Sequence, residues 1–582
     1  MNLNDLNPMQ KQAAEQLNGP VLILAGAGSG KTRTITYRIA NLLEHGVSIY
    51  HILALTFTNK AAREMRTRIE NLTGKSLDST WIGTFHSICC RILRRDIEKL
   101  GYSRSFSIYD QDDQLRVIKA VLKELDIDEK FLPPKEVSAN ISDMKNHVWN
   151  ADEWLAHADK TYRTQRIHDV IVAYEAHLKA ANALDFDDLL FKTLQLFIDH
   201  PPILSYYQQQ FQYVHVDEYQ DTNFAQYHII RLLTQDSRNL CVVGDDDQSI
   251  YAWRGADIRN ILNFEKDYPD AKVIKLEQNY RSTGNILAAA NDIIKHNFGR
   301  KEKRLWTDSA DGEKITLYSA EDERVEARWI ANKIKAYSTS ELGKTAVLYR
   351  IHAQSRVLEE TFMTNGIPYR VFGGTRFYDR KEIRDIVAYL RFLENPADNF
   401  SLNRIINVPK RSIGDSTIDQ LSTYAADKGL SLYAAVLTPP STLGAKARKS
   451  LAAFSELMIG LMLQKDAMPL SEFVQKVIDD SGLLLQYSNS DEEEDQTRVE
   501  NIREFMGAVT EFEQKESVKT LAAFLESVSL ITDLDAQEDA PAYVTLMTLH
   551  SAKGLEFDTV FMPGMEEGIF PSSRAMAEPE GL

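Results

Sequence analysis

The stretch GPVLILAGAGSGKT, residues 19–32, decides the fold of this chain. Its first half is a short apolar run typical of a buried strand, and its second half is a glycine-rich turn that leads into a helix. Small residues in such a turn let backbone N–H groups surround phosphate oxygens, while a lysine binds the β- and γ-phosphates and a hydroxyl binds Mg²⁺. A chance glycine-rich turn is the alternative, which the preceding strand disfavours. We therefore predict a phosphate-binding loop formed by Gly26, Ala27, Gly28, Ser29, Gly30, Lys31 and Thr32.

Other short, β-branched runs follow this loop along the chain, separated by helical patterns. Strands that alternate with helices predict a parallel sheet covered on both faces. A long helical stretch, about 88–199, separates the second predicted strand from the third and is interpreted as an insertion. After the strand at the start of 19–32, the predicted strands of this first unit are ILALTF (52–57), YVHVDEY (213–219), LCVVGD (240–245) and KVIKLEQ (272–278).

The same pattern recurs in the second half, which predicts a second α/β unit. Residues 375–541 interrupt this unit with another mostly helical insertion. The predicted strands are KITLYSA (314–320), TAVLYR (345–350), YRVFGG (369–374), VTLMTL (544–549) and TVFMPG (559–564).

Length, net charge and cysteine content limit the classes of protein to which the chain can belong. The chain has 582 residues, too many for one hydrophobic core, and a net charge of −17, which argues against binding nucleic acid over its whole surface but allows a local basic groove. Its three cysteines give no disulfide pattern and favour a reducing compartment. The N-terminus lacks the pattern of a signal peptide, and no apolar run is long enough for a membrane span. We expect a cytoplasmic protein without membrane partners.

The run VHVDEYQDT, residues 214–222, completes the expected nucleotide site. Asp217 ends an apolar strand, where its carboxylate can hold Mg²⁺ through water, and Glu218 can accept a proton from attacking water. Alone, Asp-Glu at a strand end is a weak signal, but after a phosphate-binding loop it is a strong one. The pair favours hydrolysis of a nucleotide over transfer of its phosphate to a bound substrate.

GDDDQSIYAWRGA, residues 244–256, combines carboxylates with aromatic and arginine side chains. The three aspartates lack the alternating spacing and distal glutamate of a calcium loop, so we interpret Asp245 as a strand-end residue and the other two as loop residues. A basic run, RKEKR (300–304), is expected to be a solvated surface, with DNA contact as the alternative.

Nine motifs, in order, resemble those of superfamily-one DNA helicases of the UvrD/Rep/PcrA type. The resemblance extends over nearly the whole chain. It implies an α/β fold of two RecA-like P-loop domains with parallel sheets, each carrying a mostly helical insertion, and ATP- and Mg²⁺-dependent movement 3′ to 5′ on single-stranded DNA. The motifs are LNPMQKQAA (6–14), GAGSGKTRT (26–34), TFTNKAAREM (56–65), GTFHSICCRIL (83–93), LDFDDLL (184–190), VDEYQDT (216–222), GDDDQSIYAWRGA (244–256), LEQNYRS (276–282) and TLHSAKGLEFDTVF (548–561).

On this basis the chain divides into two discontinuous domains and two insertions. We expect the first RecA-like domain at 1–87 and 200–276, its insertion at 88–199, the second RecA-like domain at 277–374 and 542–582, and its insertion at 375–541.

The resemblance also implies roles for residues around the nucleotide. Gln10 matches a reader of the adenine edge, and Tyr280 matches the aromatic residue that stacks on adenine. Gln248 matches a sensor of the γ-phosphate, and Arg281 matches an arginine finger. Lys31 and Glu218 keep their catalytic roles, Thr32 and Asp217 are the expected metal ligands, and Arg33 and Glu556 are further nucleotide contacts.

On the DNA side, the resemblance implies that Phe57, Tyr251, Trp253 and Arg254 stack on bases or contact the backbone. Thr84, His86 and His550 match DNA-facing positions. Trp253 alone would suit a core position, and the two histidines are equally consistent with structural hydrogen bonds. With Gln248 and Tyr251 on one short segment, loss of phosphate could move the stacking platform directly.

The expected partners are single-stranded DNA, single-strand/duplex junctions, and repair or replication proteins, with a monomer or weak dimer as the active unit. The family pattern continues beyond residue 582 with a helix carrying a second arginine and a closing strand, so we expect an incomplete second domain and reduced turnover. Two alternatives stay open: the helicase half of a helicase–nuclease, and a truncated or non-catalytic DNA-binding or regulatory relative.

Overall fold

The computed structural model describes residues 1–77, 80–252, 255–297, 299–372, 378, 380–488, 493–530, 542–571 and 576. The strands, numbered along the chain, belong to three sheets. Their bounds are β1 (Val21–Ala25), β2 (Ile52–Thr56), β3 (Trp81–Thr84), β4 (Ser107–Tyr109), β5 (Ala183–Asp185), β6 (Tyr213–Val216), β7 (Leu240–Gly244), β8 (Lys272–Leu276), β9 (Thr345–Tyr349), β10 (Tyr369–Val371), β11 (Val544–Thr548) and β12 (Thr559–Phe561).

Helices flank the sheets and build both insertions. Those up to residue 294 are α1 (Pro8–Glu15), α2 (Lys31–Glu44), α3 (Asn59–Thr73), α4 (Phe85–Asp96), α5 (Gln111–Glu124), α6 (Pro134–Asn146), α7 (Ala151–His157), α8 (Tyr162–Ala180), α9 (Phe186–Asp199), α10 (Pro201–Gln210), α11 (Phe224–Thr234), α12 (Arg259–Leu262), α13 (Phe264–Asp267) and α14 (Gly284–Ile294). Those that follow are α15 (Glu323–Ile334), α16 (Thr339–Leu342), α17 (Ser355–Thr364), α18 (Lys381–Glu394), α19 (Asn399–Ile405), α20 (Asp415–Lys428), α21 (Leu432–Leu437), α22 (Ala445–Gln464), α23 (Leu470–Ser481), α24 (Leu483–Ser488), α25 (Glu493–Lys515) and α26 (Leu521–Leu530).

The first sheet is parallel and has the order β3-β2-β6-β7-β1-β8. Side chains of β1 alternate between two cores: Leu22 and Leu24 face one, and Val21 and Ile23 face the other. Both faces are therefore covered, as the continuous apolar run of β1 predicts. Because β6, β7 and β1 are adjacent, the loops at their carboxyl ends meet at one edge of the sheet, where parallel α/β sheets bind ligands.

The second sheet is also parallel, with the order β10-β11-β9-β12, and it has a core on each face. The predicted α/β class and the two sheets are confirmed. The expected strand KITLYSA is wrong: residues 314–320 belong to no strand, and Ile315 and Leu317 are 64% and 92% exposed. The segment has the alternation of a strand, but a strand also needs a partner edge, and none pairs with it among the described residues.

Each insertion has a hydrophobic core of its own, one between Tyr109 and Ala183 and the other between Ile383 and Val528. The short parallel pair β4–β5 lies at the base of the first. The insertions contact each other: the Tyr109 hydroxyl donates to Asp398 Oδ1 at 2.6 Å, and Arg391 Nη1 lies 2.5 Å from Asp113 Oδ2. Within the described ranges, no helix combines the length and apolar character needed to span a bilayer.

Candidate functional site

The predicted phosphate-binding loop connects β1 to α2. Gly28 and Gly30 have φ angles of +66° and +82°, which a residue with a Cβ adopts only with strain. The Ser29 hydroxyl donates to the Gly26 carbonyl at 2.7 Å and closes the turn. Lys31 opens helix α2, so the free N–H groups and the positive end of the helix dipole lie beside the loop.

Two acidic residues at the end of β6 face this loop. Thr32 Oγ1 lies 3.4 Å from Asp217 Oδ2, and Lys31 Nζ lies 2.9 Å from Glu218 Oε1. A hydroxyl and a carboxylate are the hard oxygen donors that Mg²⁺ prefers, so Thr32 and Asp217 would hold a magnesium ion here. The structure thus brings together the four residues expected to do the chemistry.

The electrostatics of the acidic pair are unequal. Burial, with repulsion from Glu218, raises the pKa of Asp217 to about 6. Burial acts in the same direction on Glu218, but the charges of Lys31 and Lys553 outweigh it and hold the pKa of Glu218 at about 2. Glu218 also has a φ of +51°, an uncommon backbone conformation that is often found at functional sites.

Gln248 lies just beyond the end of β7, between the phosphate loop and the aspartate run. Its Nε2 donates to Asp245 Oδ2 at 2.6 Å, and its Oε1 accepts from Lys31 Nζ at 3.4 Å. The side chain therefore lies next to the lysine expected to bind phosphate, and its role as a γ-phosphate sensor stays a prediction.

The residues expected around adenine flank the other side of the loop. Gln10 is buried, with Nε2 2.9 Å from the Ser29 carbonyl. Tyr280 is 53% exposed; its backbone N–H donates to the Gly28 carbonyl, and its hydroxyl accepts from Asn7 Nδ2 at 2.8 Å. The adenine roles stay predictions. The Arg33 guanidinium donates to the Asp5 carbonyl at 2.9 Å, and its nucleotide contact also stays a prediction.

Arg281 and Glu556 form an ion pair beside the phosphate loop. Arg281 Nε donates to Glu556 Oε2 at 2.9 Å, and a Cβ added to Gly28 would lie 2.7 Å from Arg281 Cβ. The expected arginine finger is thus beside the phosphate loop, and Glu556 holds its guanidinium.

The aromatic surface begins next to this site. The rings of Phe57 and Tyr251 stack with centroids 4.8 Å apart and an interplanar angle of 19°, and the Tyr251 hydroxyl donates to the His550 carbonyl at 3.1 Å. Three of the expected DNA-facing residues are therefore in contact. Trp253 and Arg254 lie outside the described residues.

Thr84 and His86 lie at the start of helix α4. The Thr84 hydroxyl accepts from the Ser87 backbone N–H at 3.3 Å and caps the helix, and the residue is buried. The His86 ring lies 5.3 Å from the Phe186 ring. These contacts position both side chains structurally, and their contact with DNA stays a prediction.

Sequence reasoning missed three polar residues of the site. Lys553 Nζ donates to Asp221 Oδ2 and to the Gln248 carbonyl at 2.6 Å, and it lies 3.8 Å from Glu218 Oε2. Gln220 Nε2 donates to Glu218 Oε2 at 2.6 Å, and Asn279 Nδ2 donates to the Ala27 carbonyl at 2.7 Å. All three lie inside motifs that the sequence had already singled out, and that was the signal available.

Residues 6–269 match the family model of the UvrD/REP helicase N-terminal domain, and residues 274–580 match that of the UvrD-like helicase C-terminal domain. Proteins named ATP-dependent DNA helicase PcrA from Bacillus subtilis, Staphylococcus epidermidis and Staphylococcus aureus are each 48% identical to this chain. Each alignment covers 99% of this chain and 79% of the relative.

Proposed function

The chain belongs to the UvrD/Rep helicase family, and from this premise we propose that it is an ATP-dependent DNA helicase that moves 3′ to 5′ along single-stranded DNA and separates the duplex ahead of it. Its substrates are ATP, single-stranded DNA and single-strand/duplex junctions. We place its work in DNA repair or replication. No described residue favours a non-catalytic relative, because Lys31, Thr32, Asp217 and Glu218 all converge on one loop.

The residues divide the hydrolytic step between them. The loop N–H groups and Lys31 bind the phosphates of ATP, and Thr32 and Asp217 would hold Mg²⁺, which neutralises phosphate charge. Glu218 accepts the proton of the attacking water. Because Lys31 is the strongest attraction that lowers the pKa of Glu218, its engagement with phosphate raises the basicity of Glu218 when the base is needed.

The observation that carries the proposal is the path from Gln248 to the aromatic surface. Gln248 contacts Lys31, and three residues later Tyr251 stacks on Phe57 and donates to the His550 carbonyl. A shift of Gln248 on binding or losing the γ-phosphate therefore acts on a residue that joins both units. Stacking on bases is insensitive to sequence, which suits a motor that must travel along any strand.

Unwinding assays on tailed duplexes test the proposal. The protein is mixed with ATP and Mg²⁺ and with a duplex carrying either a 3′ or a 5′ single-stranded tail, and hydrolysis is followed in parallel. We expect single-stranded DNA to stimulate ATPase and only the 3′-tailed duplex to be opened, with both activities lost in Lys31→Ala. Hydrolysis that ignores DNA, or preference for the 5′ tail, contradicts the proposal.

A further inference from the structure

Lys303 is the centre of a charge cluster that has no role in the hydrolytic step proposed above. Its Nζ lies 2.8 Å from Asp245 Oδ1, 2.5 Å from Asp246 Oδ1 and 2.8 Å from Asp247 Oδ2. The Lys303 side chain is only 2% exposed. The basic run 300–304 was expected to be a solvated surface; that interpretation is wrong for Lys303, which is buried against the aspartates.

Three carboxylates so close together repel one another unless a cation lies between them. One oxygen from each aspartate lies within 4.8 Å of the others, a spacing that could suit a divalent ion. In this chain the ammonium group of Lys303 occupies the centre of the cluster. Arg300 adds a second charge: its Nε and Nη2 lie 3.0 and 2.8 Å from the two oxygens of Asp247.

The segment that carries Lys303 is fixed on its other side to the phosphate loop. Leu305, two residues after Lys303, covers Gly26. Its Cδ2 lies 2.1 Å from the position that a Cβ on Gly26 would take. Trp306 donates its backbone N–H to the Glu277 carbonyl and accepts from Asn279 N–H at 2.7 Å. Residues 303–306 therefore bridge the phosphate loop and the aspartates.

Asp245 connects this bridge to catalysis. One of its oxygens binds Lys303, and the other accepts from Gln248 Nε2 at 2.6 Å. The orientation of the Gln248 amide thus depends on where Asp245 is held. Since the approach of reacting groups must be set to within a fraction of an ångström, a small displacement here affects turnover more than binding.

We propose that Lys303 is a positioning residue of the ATPase: its ammonium takes the place of a divalent cation among Asp245, Asp246 and Asp247, and so fixes Asp245 where it orients Gln248. The turnover part of this inference rests on the proposed function. The cation-replacing part does not, because it concerns the folded protein alone.

The experiment compares Lys303→Met with the parent, with Lys303→Arg, and with Lys301→Met. Lys301 is a matched control, because it has the same charge and lies on the same segment, but its ammonium pairs with Glu265 instead of the aspartates. Thermal unfolding is followed while calcium chloride is titrated without nucleotide. We expect Ca²⁺ to raise the Tm of Lys303→Met by at least about 3 °C more than the Tm of the other three proteins, which share the Thr32–Asp217 site.

Steady-state ATPase with saturating single-stranded DNA supplies the second measurement. Lys303→Met should lower kcat about 10-fold or more while the Kd for labelled ADP changes less than about threefold, because ADP has no γ-phosphate for Gln248 to contact. Lys303→Arg keeps the charge and should recover part of kcat. Lys301→Met should resemble the parent.

The outcomes separate clearly. Absence of either response in Lys303→Met, or equal responses in Lys301→Met, overturns the proposal. If Lys303→Met is unfolded without cation, recovery of its helical circular-dichroism signal on adding Ca²⁺ supports the proposal, and no recovery overturns it. If the parent protein has no DNA-stimulated ATPase, the result contradicts the proposed function instead. The Ca²⁺ titration alone then tests whether Lys303 replaces a cation.

Discussion

Arg281 and Glu556, 275 positions apart, form an ion pair beside the phosphate loop, with 2.9 Å between Nε and Oε2. Their side chains are 41% and 70% exposed, so water screens the pair and it adds little to stability. Such a pair is easily broken. The guanidinium can therefore leave Glu556 for a phosphate oxygen without a large energetic penalty, and the pair holds it close to that position until then.

Arg281→Ala should lower DNA-stimulated kcat by at least about 10³-fold, the range seen for arginine fingers in related phosphoryl-transfer sites. ADP affinity should change little, because the loop donors remain. Steady-state ATPase and equilibrium binding of labelled ADP measure the two effects. Arg356→Ala is the matched control, since Arg356 is in an exposed pair with Glu360 away from the site. Equal losses in both variants would show that Arg281 has no special role.

Glu218→Gln should bind ATP with Mg²⁺ and lose turnover by about 10²- to 10⁴-fold, because it keeps the shape and the hydrogen-bond acceptor for Lys31 but removes the base. Lys31→Ala should lose nucleotide affinity as well. Filter binding of ATP alongside ATPase distinguishes the two. Hydrolysis at the parent rate in Glu218→Gln would remove Glu218 from the mechanism.

The raised pKa of Asp217 predicts a pH dependence of Mg²⁺ binding. Its carboxyl holds a proton up to about pH 6, so its contribution to stability is present at low pH and lost as pH rises through that value. Mg²⁺ needs the ionised form. The apparent Mg²⁺ affinity should therefore fall about 10-fold per pH unit below about pH 6.

Magnesium-dependent binding of labelled ATP, measured across pH, checks this expectation. Because repulsion from Glu218 helps to raise the pKa of Asp217, Glu218→Gln should move the fall in affinity to lower pH. The same profile in the parent and in Glu218→Gln would mean that the two carboxyl groups do not interact as their geometry indicates.

Phe57→Ala and Tyr251→Phe should separate the stacking of aromatic rings on DNA bases from the dependence of DNA affinity on bound nucleotide. Phe57→Ala removes a ring and should weaken single-stranded DNA binding by about 1–3 kcal/mol. Tyr251→Phe keeps the ring but loses the hydrogen bond to the His550 carbonyl. It should bind DNA normally without nucleotide, while the change in DNA affinity on adding a non-hydrolysable ATP analogue shrinks. Labelled-oligonucleotide titrations test both; an unaltered nucleotide effect in Tyr251→Phe argues against the path through Tyr251.

Local pattern was enough to predict much of the first sheet and the phosphate loop. Apolar runs ended by glycine or aspartate mark β1, β6 and β7. Because these strands are parallel neighbours in the sheet, Lys31, Asp217 and Gln248 follow their carboxyl ends at one sheet edge. Strand periodicity reports which residues could be buried on a sheet face, but it does not report whether a neighbouring strand exists. Residues 314–320 have the right alternation and no partner strand among the described residues, so the prediction failed there.

The pairing of charges that are distant along the chain could not be predicted from the sequence, for a different reason. Lys303 lies in a basic run and Lys553 in a family motif, but neither pattern indicates which carboxylate each lysine binds. Their roles come from carboxylates far away in the chain, Asp246 and Asp221, which only the folded chain brings within reach. The energy of such a pair depends on burial at the meeting point, and no local window of residues contains that information.

The contact between Gly26 and Leu305 limits where this chain can be joined to a relative in a chimaeric protein. A chimaera joined between residues 276 and 300 would take its phosphate loop from one parent and the side chain that covers it from the other. Any substitution that adds a Cβ at position 26 collides with Leu305 Cδ2, and a smaller residue at position 305 uncovers the loop. The smallest exchangeable block that contains the phosphate loop therefore runs past Trp306, whose backbone pairs with that of Gln278.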